Sequence, residues 1–171
     1  MWTPRPAARR CSGKAAVLAT AAADRAAWRN EGTGNFSSDR NFAALHGAYK
    51  AAGGMAKGSE LARLLEDRPA RTPGDTENLV ELIDRGAAFG FDWKGTCWVP
   101  LFQFNLWDLS TRPGSRQVLA ELSPSFDGWQ LAAWFVQRSA WLDYRRPVDL
   151  LSSNLPAVLS LARVDRYVAN G

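Results

Sequence analysis

From Asp39 onward the apolar positions follow helical spacing. In "RNFAALHGAYKAA", Phe42, Leu45, Tyr49 and Ala52 share one face, and the pair Gly53–Gly54 ends the run. "KGSELARLLEDR" comes next, with Ser59 placed to cap it and Leu61, Leu64 and Leu65 forming its apolar side. Helix, glycine-containing turn, helix is the outline of a helix-turn-helix unit over residues 41–67. "DTENLVELIDRG" predicts a third helix, with Leu79, Leu82 and Ile83 on one side and a stop at Gly86.

The period then changes to two. Phe89, Phe91 and Trp93 alternate in "AFGFDW", and "KG" supplies a two-residue turn with Gly95 free to adopt positive φ. "TCWVPLFQF" returns as the second strand of a hairpin, with Trp98, Phe102 and Phe104 on one face. Pro100 marks an edge or a bulge. Beyond a loop at "NLWDLSTRPGS", helical spacing resumes in "RQVLAELSPSF" and stops at Pro124. Asp127 and Gln130 have the spacing of a capping box, and Phe126 with Leu131 that of a hydrophobic staple, for a helix through "GWQLAAWFVQR". Pro147 suits the first turn of a short helix, "PVDLLSS". Ser153 or Asn154 caps the last helix, whose stripe is Leu155, Val158, Leu159 and Ala162.

The chain of 171 residues is 46% apolar and carries eight tryptophans, enough for one domain with a real core, or a small domain with an appendage. Its two cysteines, Cys11 and Cys97, exclude a disulfide framework and a four-cysteine zinc site and fit a reducing cytoplasm. No apolar run approaches membrane-spanning length. Arg9, Arg10 and Lys14 before "AAVLATAAA" have the order of a signal peptide, but Asp24 and Arg25 cut the apolar part short.

The net charge of +4 is uneven. Residues 1–50 hold eight Lys and Arg against three Asp and Glu, residues 51–110 six against nine, and residues 111–171 seven against five. Residues 1–40 therefore read as a basic arm, Pro-, Gly- and Ser-rich around an Ala-rich helical stretch. Such an arm is either a solvated tail or a contact for nucleic acid.

Catalytic chemistry is thin. "GGMAKGS" has the composition of a phosphate loop, but its Lys-Gly order and the lack of a preceding strand are wrong for one. "EGTGN" is too short for a cradle. His46 is the single histidine, on an amphipathic helix with no nucleophile motif to serve and too few partners for a metal. The acid pair Glu66–Asp67 reads as a solvated helix face. The expectation is a binding protein, not an enzyme, with no cofactor.

The C-terminal third is the most informative. On the helix from Trp129, the residues Trp129, Ala132, Ala133 and Val136 share a side, extended by Leu131 and Phe135. Trp134 falls among the polar positions Gln130, Gln137 and Arg138. Either another segment covers Trp134, or it is an exposed anchor for a partner. Arg145 and Arg146 either pair with Asp143 or Asp149, or present their guanidinium groups outward.

The stretch "LSPSFDGWQLAAWFVQRSAWLDYRRPVDLL", residues 122–151, resembles the C-terminal toxin-binding domain of the Xre/MbcA/ParS antitoxins. Ala133 and Trp134, Leu142, Arg146, Pro147, Leu150 and Leu151 fill the places of that family's pattern. "NLPAVLSLARVDRYVANG" looks like its closing helix, so the likeness covers residues 122–171. Many members carry a glycine in the spacer where this chain has Tyr144, and the aromatic hairpin at 88–104 is not part of their minimal domain.

The resemblance implies a cytoplasmic, homo-oligomeric antitoxin of a type II toxin–antitoxin system. Its cognate toxin is often a RES-domain enzyme that consumes NAD. Trp134, Trp141, Leu142, Arg145, Arg146 and Pro147 are the expected toxin-binding residues. If the helical pair at 41–67 reads operator DNA, Lys50, Lys57, Ser59 and Arg63 face it. The expected fold is mainly α, with a helical region and one aromatic hairpin over 41–110. A toxin-binding-like unit of three to four helices follows over 111–171. The alternatives are a nucleic-acid-binding regulator without a toxin, and an oligomeric scaffold whose tryptophans are core.

Overall fold

The computed structural model describes residues 35–68 and 78–170, with side chains from Asp39. The Ala-rich stretch, the basic arm up to residue 34, and Gly171 lie outside the described residues. Helix α1 (Asn35–Tyr49) tightens into a 3-10 turn at Lys50–Ala52 and ends where Gly53 turns left-handed. The next element is a strand, β1 (Met55–Lys57), and α2 (Gly58–Glu66) starts directly after it. The sequence outline of helix, turn, helix is therefore helix, strand, helix. Ser59 does not cap α2 either. Lys57 holds that position without a side-chain bond. The extended backbone of β1 is fixed by pairing with a distant strand, which helical periodicity cannot register.

Helix α3 (Leu79–Asp84) is shorter than its pattern and opens on a capping box, in which Asn78 and Glu81 exchange side-chain and backbone hydrogen bonds. The hairpin follows as β2 (Phe91–Trp93) and β3 (Thr96–Pro100). Lys94 and Gly95 both have positive φ, 51° and 74°, which matches a primed turn to the strand twist. The second strand ends sooner than its alternation suggests, because Leu101–Gln103 coil into a 3-10 turn. The sheet order is β1-β3-β2, all antiparallel, so β3 is the central strand and not an edge. Pro100 is tolerated there because it is the last residue of β3.

The sheet separates two apolar clusters. Leu61, Leu65, Leu79, Leu82, Ile83, Val99 and Phe104 fill the smaller one, against α2 and α3. Phe91, Phe89, Phe102 and Tyr49 join the larger one on the other side. Trp93 and Trp98 pack at its border, where Phe42 stacks on Trp93 at 3.8 Å between ring centroids.

The larger cluster is built mostly from the C-terminal helices α4 (Pro113–Leu122), α5 (Gly128–Val136), α6 (Pro147–Leu150) and α7 (Leu155–Asn170). Pro113 and Pro147 occupy first-turn positions. Asp127 and Gln130 form the capping box of α5, and the Asn154 side chain accepts from the Ala157 N–H at the start of α7. Helices α4 and α7 pack side by side. The fold is mainly α with one small antiparallel sheet. Among the described residues, no helix is long and apolar enough to cross a membrane.

Two contacts dock α5 onto the rest. The buried Tyr49 hydroxyl donates to the Ala132 carbonyl at 2.8 Å, and burial pushes that phenol well above its usual pKa, with the Arg146 guanidinium opposing the shift. At its first turn, α5 touches the hairpin backbone. A Cβ added at Gly128 would drive into the Gly90 carbonyl, far inside van der Waals contact. Helix propensity favours alanine over glycine. The contact reverses the sign, so Gly128→Ala is expected to destabilise by about 1–3 kcal/mol, the range for overpacking. Denaturant unfolding measures it, and a more stable variant would show that the approach is loose.

Candidate functional site

Between the end of α5, the turn that follows, and the middle of α7 lies a cleft of about 340 Å³. Its floor is Trp134, Leu161 and Pro147, and its rim carries Arg138, Trp141 and Asp165. Trp134 is 8% exposed. Its indole N–H donates to Asp165 Oδ2 at 2.6 Å, which ties α5 to α7. Of the two readings left open by the sequence, coverage by another segment is the one found. The cover is α7, together with Pro147, which lines the same cleft. Trp134 lies about 100° around the helix from Ala133, which is exposed, so the buried arc of α5 is displaced toward Trp134 from the one its periodicity suggests.

The turn after α5 is held by its own backbone. Ser139 and Arg145 form an antiparallel bridge, and Tyr144 N–H donates to the Ser139 carbonyl at 2.9 Å. Ser139 Oγ accepts from Trp141 N–H at 3.3 Å. The 3-10 turn Ala140–Leu142 sends Leu142 into the core and leaves Trp141 75% exposed. Arg138 Nη1 donates to the Tyr144 carbonyl at 3.0 Å, clamping the turn from outside.

Arg146 points the other way. Its Nε and Nη2 bind Asp149 Oδ2 and Oδ1 at 2.7 and 2.6 Å, and its Nη1 reaches the Ala48 carbonyl at 2.9 Å. The Asp149 hydrogen bonds raise its pKa further. The structure thus splits the expected toxin-binding set. Trp134, Leu142 and Pro147 are buried, and Arg146 braces the turn against α1. Trp141 and Arg145 are exposed beside them.

Sequence reasoning missed three members of the site. Asp165 continues the spacing of the buried Val158 and Ala162, so an acid in line with an apolar stripe was the available signal. The sequence places Arg138 only on a polar helix face, and marks Tyr144 only as a departure from glycine. It is 69% exposed and follows Asp143 in the left-handed region, with φ of 57° and 54°.

The DNA-facing candidates Lys50, Lys57, Ser59 and Arg63 are all exposed. They are spread over the 3-10 turn, β1 and α2, and Lys57 lies 3.9 Å from Glu60. His46 packs against Phe42 and Trp98. Among the described residues, no group of three or more His, Cys, Asp or Glu side chains could hold a metal ion. The titratable groups of the cleft are Arg138 and Asp165. A hydrophobic floor, an exposed indole and a guanidinium on a braced turn suit recognition of a protein surface.

Comparison with protein-family models, with curated proteins and with solved structures finds no match.

A tyrosine in the left-handed region costs about 1–2 kcal/mol, and glycine's extra chain entropy about 0.5–1. Tyr144→Gly is therefore expected to stabilise the free protein by about 0.5–1 kcal/mol in denaturant unfolding. Loss of stability would show that the exposed ring contributes to the fold.

Proposed function

We propose that the chain is an antitoxin-like protein of a cytoplasmic type II toxin–antitoxin system. It grips a cognate toxin through the surface around Trp141 and neutralises it. The observation that carries the reading is Trp141 itself, a large apolar side chain held in water at the rim of a cleft. The turn beneath it is pinned by Leu142, Arg138 and Arg146. A preorganised aromatic anchor with arginines at its edge is the usual composition of a binding hot spot.

The likeness to the Xre/MbcA/ParS toxin-binding domain supports the partner class. Its places are filled in order from Ala133 to Leu151. The positive φ of Tyr144, where many members carry glycine, supports the same reading, because glycine adopts that backbone conformation with least strain. By the same likeness the toxin is a RES-domain enzyme acting on NAD. The antitoxin surface needs no catalytic group for this role, since covering an active site is enough.

The test uses the full chain as bait in its native lysate at moderate salt, with captured proteins identified by mass spectrometry. A captured partner is then expressed alone and with the bait. The expected result is a stoichiometric partner that arrests growth by itself and is silenced by the wild-type chain. Trp141→Ala is expected to lose the partner, while its own stability changes by less than about 0.5 kcal/mol. Trp134→Ala is expected to lose about 3–5 kcal/mol of stability instead, by emptying the cleft floor. Equal capture by Trp141→Ala and wild type would remove the grip from this surface. Retention on DNA at low salt with no protein partner would favour a nucleic-acid-binding regulator.

A further inference from the structure

The cleft holds a charge that the fold leaves uncompensated. Asp165 is partly buried, and its Oδ2 is taken by the Trp134 indole. Its Oδ1 meets no donor and no cation among the described residues. The arginines beside it on α7 turn the other way, Arg163 and Arg166 both to Glu121 on α4, at 2.9 and 2.6 Å. Arg138 lines the same cleft, but no ion pair joins it to Asp165 among the described residues. A carboxylate drawn partly out of water is costly unless a cation or further donors meet it.

The two charges of the cleft are not equivalent. Arg138 is exposed, so water compensates it, and its Nη1 is already held by the Tyr144 carbonyl. Asp165 is the more enclosed of the two, so the demand of the cleft is for positive charge. The rest of the lining sets the shape of what supplies it. Trp134, Leu161 and Pro147 make an apolar floor, and Trp141 stands at the mouth with its indole largely in water. An apolar floor that leads to a carboxylate fits a methylene stem ending in a cation. An aromatic ring beside the cation adds a further attraction.

We infer that the cleft receives a basic side chain, lysine or arginine, from the protein that this surface grips. Its stem lies on Leu161 and Pro147, its head donates to Asp165 Oδ1, and the Trp141 ring covers it from the rim. Arg138 repels the same cation only through water, which screens it, whereas the bond to Asp165 is direct and charge-assisted. This role rests on the reading of the surface as a grip for a protein. Asp165 lies outside the positions that carry the likeness to the antitoxin domain, and it assigns the partner a chemistry that the likeness does not.

The probes are N-acetyl-lysine methylamide and N-acetyl-arginine methylamide, with N-acetyl-glutamate methylamide as the opposite charge. Each is titrated into the full chain, isotope-labelled at its tryptophan indoles, and followed by the indole N–H resonances. The basic probes are expected to shift the Trp134 and Trp141 signals saturably, with a Kd on the order of millimolar, and the glutamate probe is not. Asp165→Asn keeps an oxygen for the Trp134 indole and presents an amide in place of the charge. It is expected to weaken binding at least about tenfold, with the melting of the free protein little changed. Trp141→Ala keeps the carboxylate and is expected to weaken binding about threefold. The absence of a saturable shift, an equal shift by the glutamate probe, or undiminished binding by Asp165→Asn overturns the assignment. The toxin reading fails separately. A captured partner that Trp141→Ala loses and Asp165→Asn retains in full leaves the grip standing and overturns the basic side chain. Saturable binding of the basic probes by a chain that captures no toxin keeps the charge preference and removes the toxin.

Discussion

The side-chain amide of Gln103 holds the two halves of the structure in register. It is fully buried, accepts from Phe89 N–H at 2.8 Å, and donates to the carbonyls of Phe89 and Pro100, both at 2.9 Å. These three groups lie just beyond the last pair of the β2–β3 ladder, Phe91 with Trp98, on the side where β2 no longer runs beside β3. A buried backbone group without a partner costs about 1–3 kcal/mol, so the amide stands in for a missing strand. The Gln103 carbonyl accepts from Arg112 N–H at 2.7 Å, which brings in the start of α4. On either side of this amide, Phe102 enters the larger cluster and Phe104 the smaller. The chain can turn from one cluster to the other only because the polar seam between them is satisfied.

The position of the cleft follows from that seam. With Phe89 fixed, its ring stacks on Phe135 at 5.7 Å, and Phe102 meets the same ring at 4.7 Å. Phe135 is thereby the core side of α5. Its neighbour Trp134 is rotated toward α7, where Asp165 meets the indole. Trp129 Nε1 donates to the Asp92 carbonyl at 2.8 Å, and Tyr49 holds Ala132, so α5 is tied along most of its length. A helix fixed on several sides gives its C-terminal turn a firm base, and Trp141 is displayed from that base.

Much of this was legible. The capping box at Asp127 and Gln130, the first-turn Pro147 and the Lys94–Gly95 turn are local rules, and local geometry obeys them. The failures share one cause. The strand β1 exists because Met55–Lys57 pair with Trp98–Pro100, some forty residues away in sequence. The strand after the hairpin turn ends at Pro100 because Gln103 must reach back to Phe89. The burial of Trp134 depends on an acid thirty-one residues later. Each is a non-local partner, which neither period nor propensity encodes. At the candidate site, the sequence singled out one segment but could not say which side chains brace it and which face outward.

Tyr144 carries the argument one step further. Its backbone hydrogen bonds, to Ser139 and from Arg138, are made through the main chain and would be made equally by glycine. Asp143 is a residue that tolerates the left-handed region, since its short side chain can bond locally. Tyrosine has no such compensation, and its ring is mostly in water. The fold therefore explains the conformation of this position but not its side chain. Strained residues concentrate where a site must hold a group in place. Tyr144 follows Trp141 by three residues on the same braced turn, so the two exposed rings stand together where the proposed grip would fall.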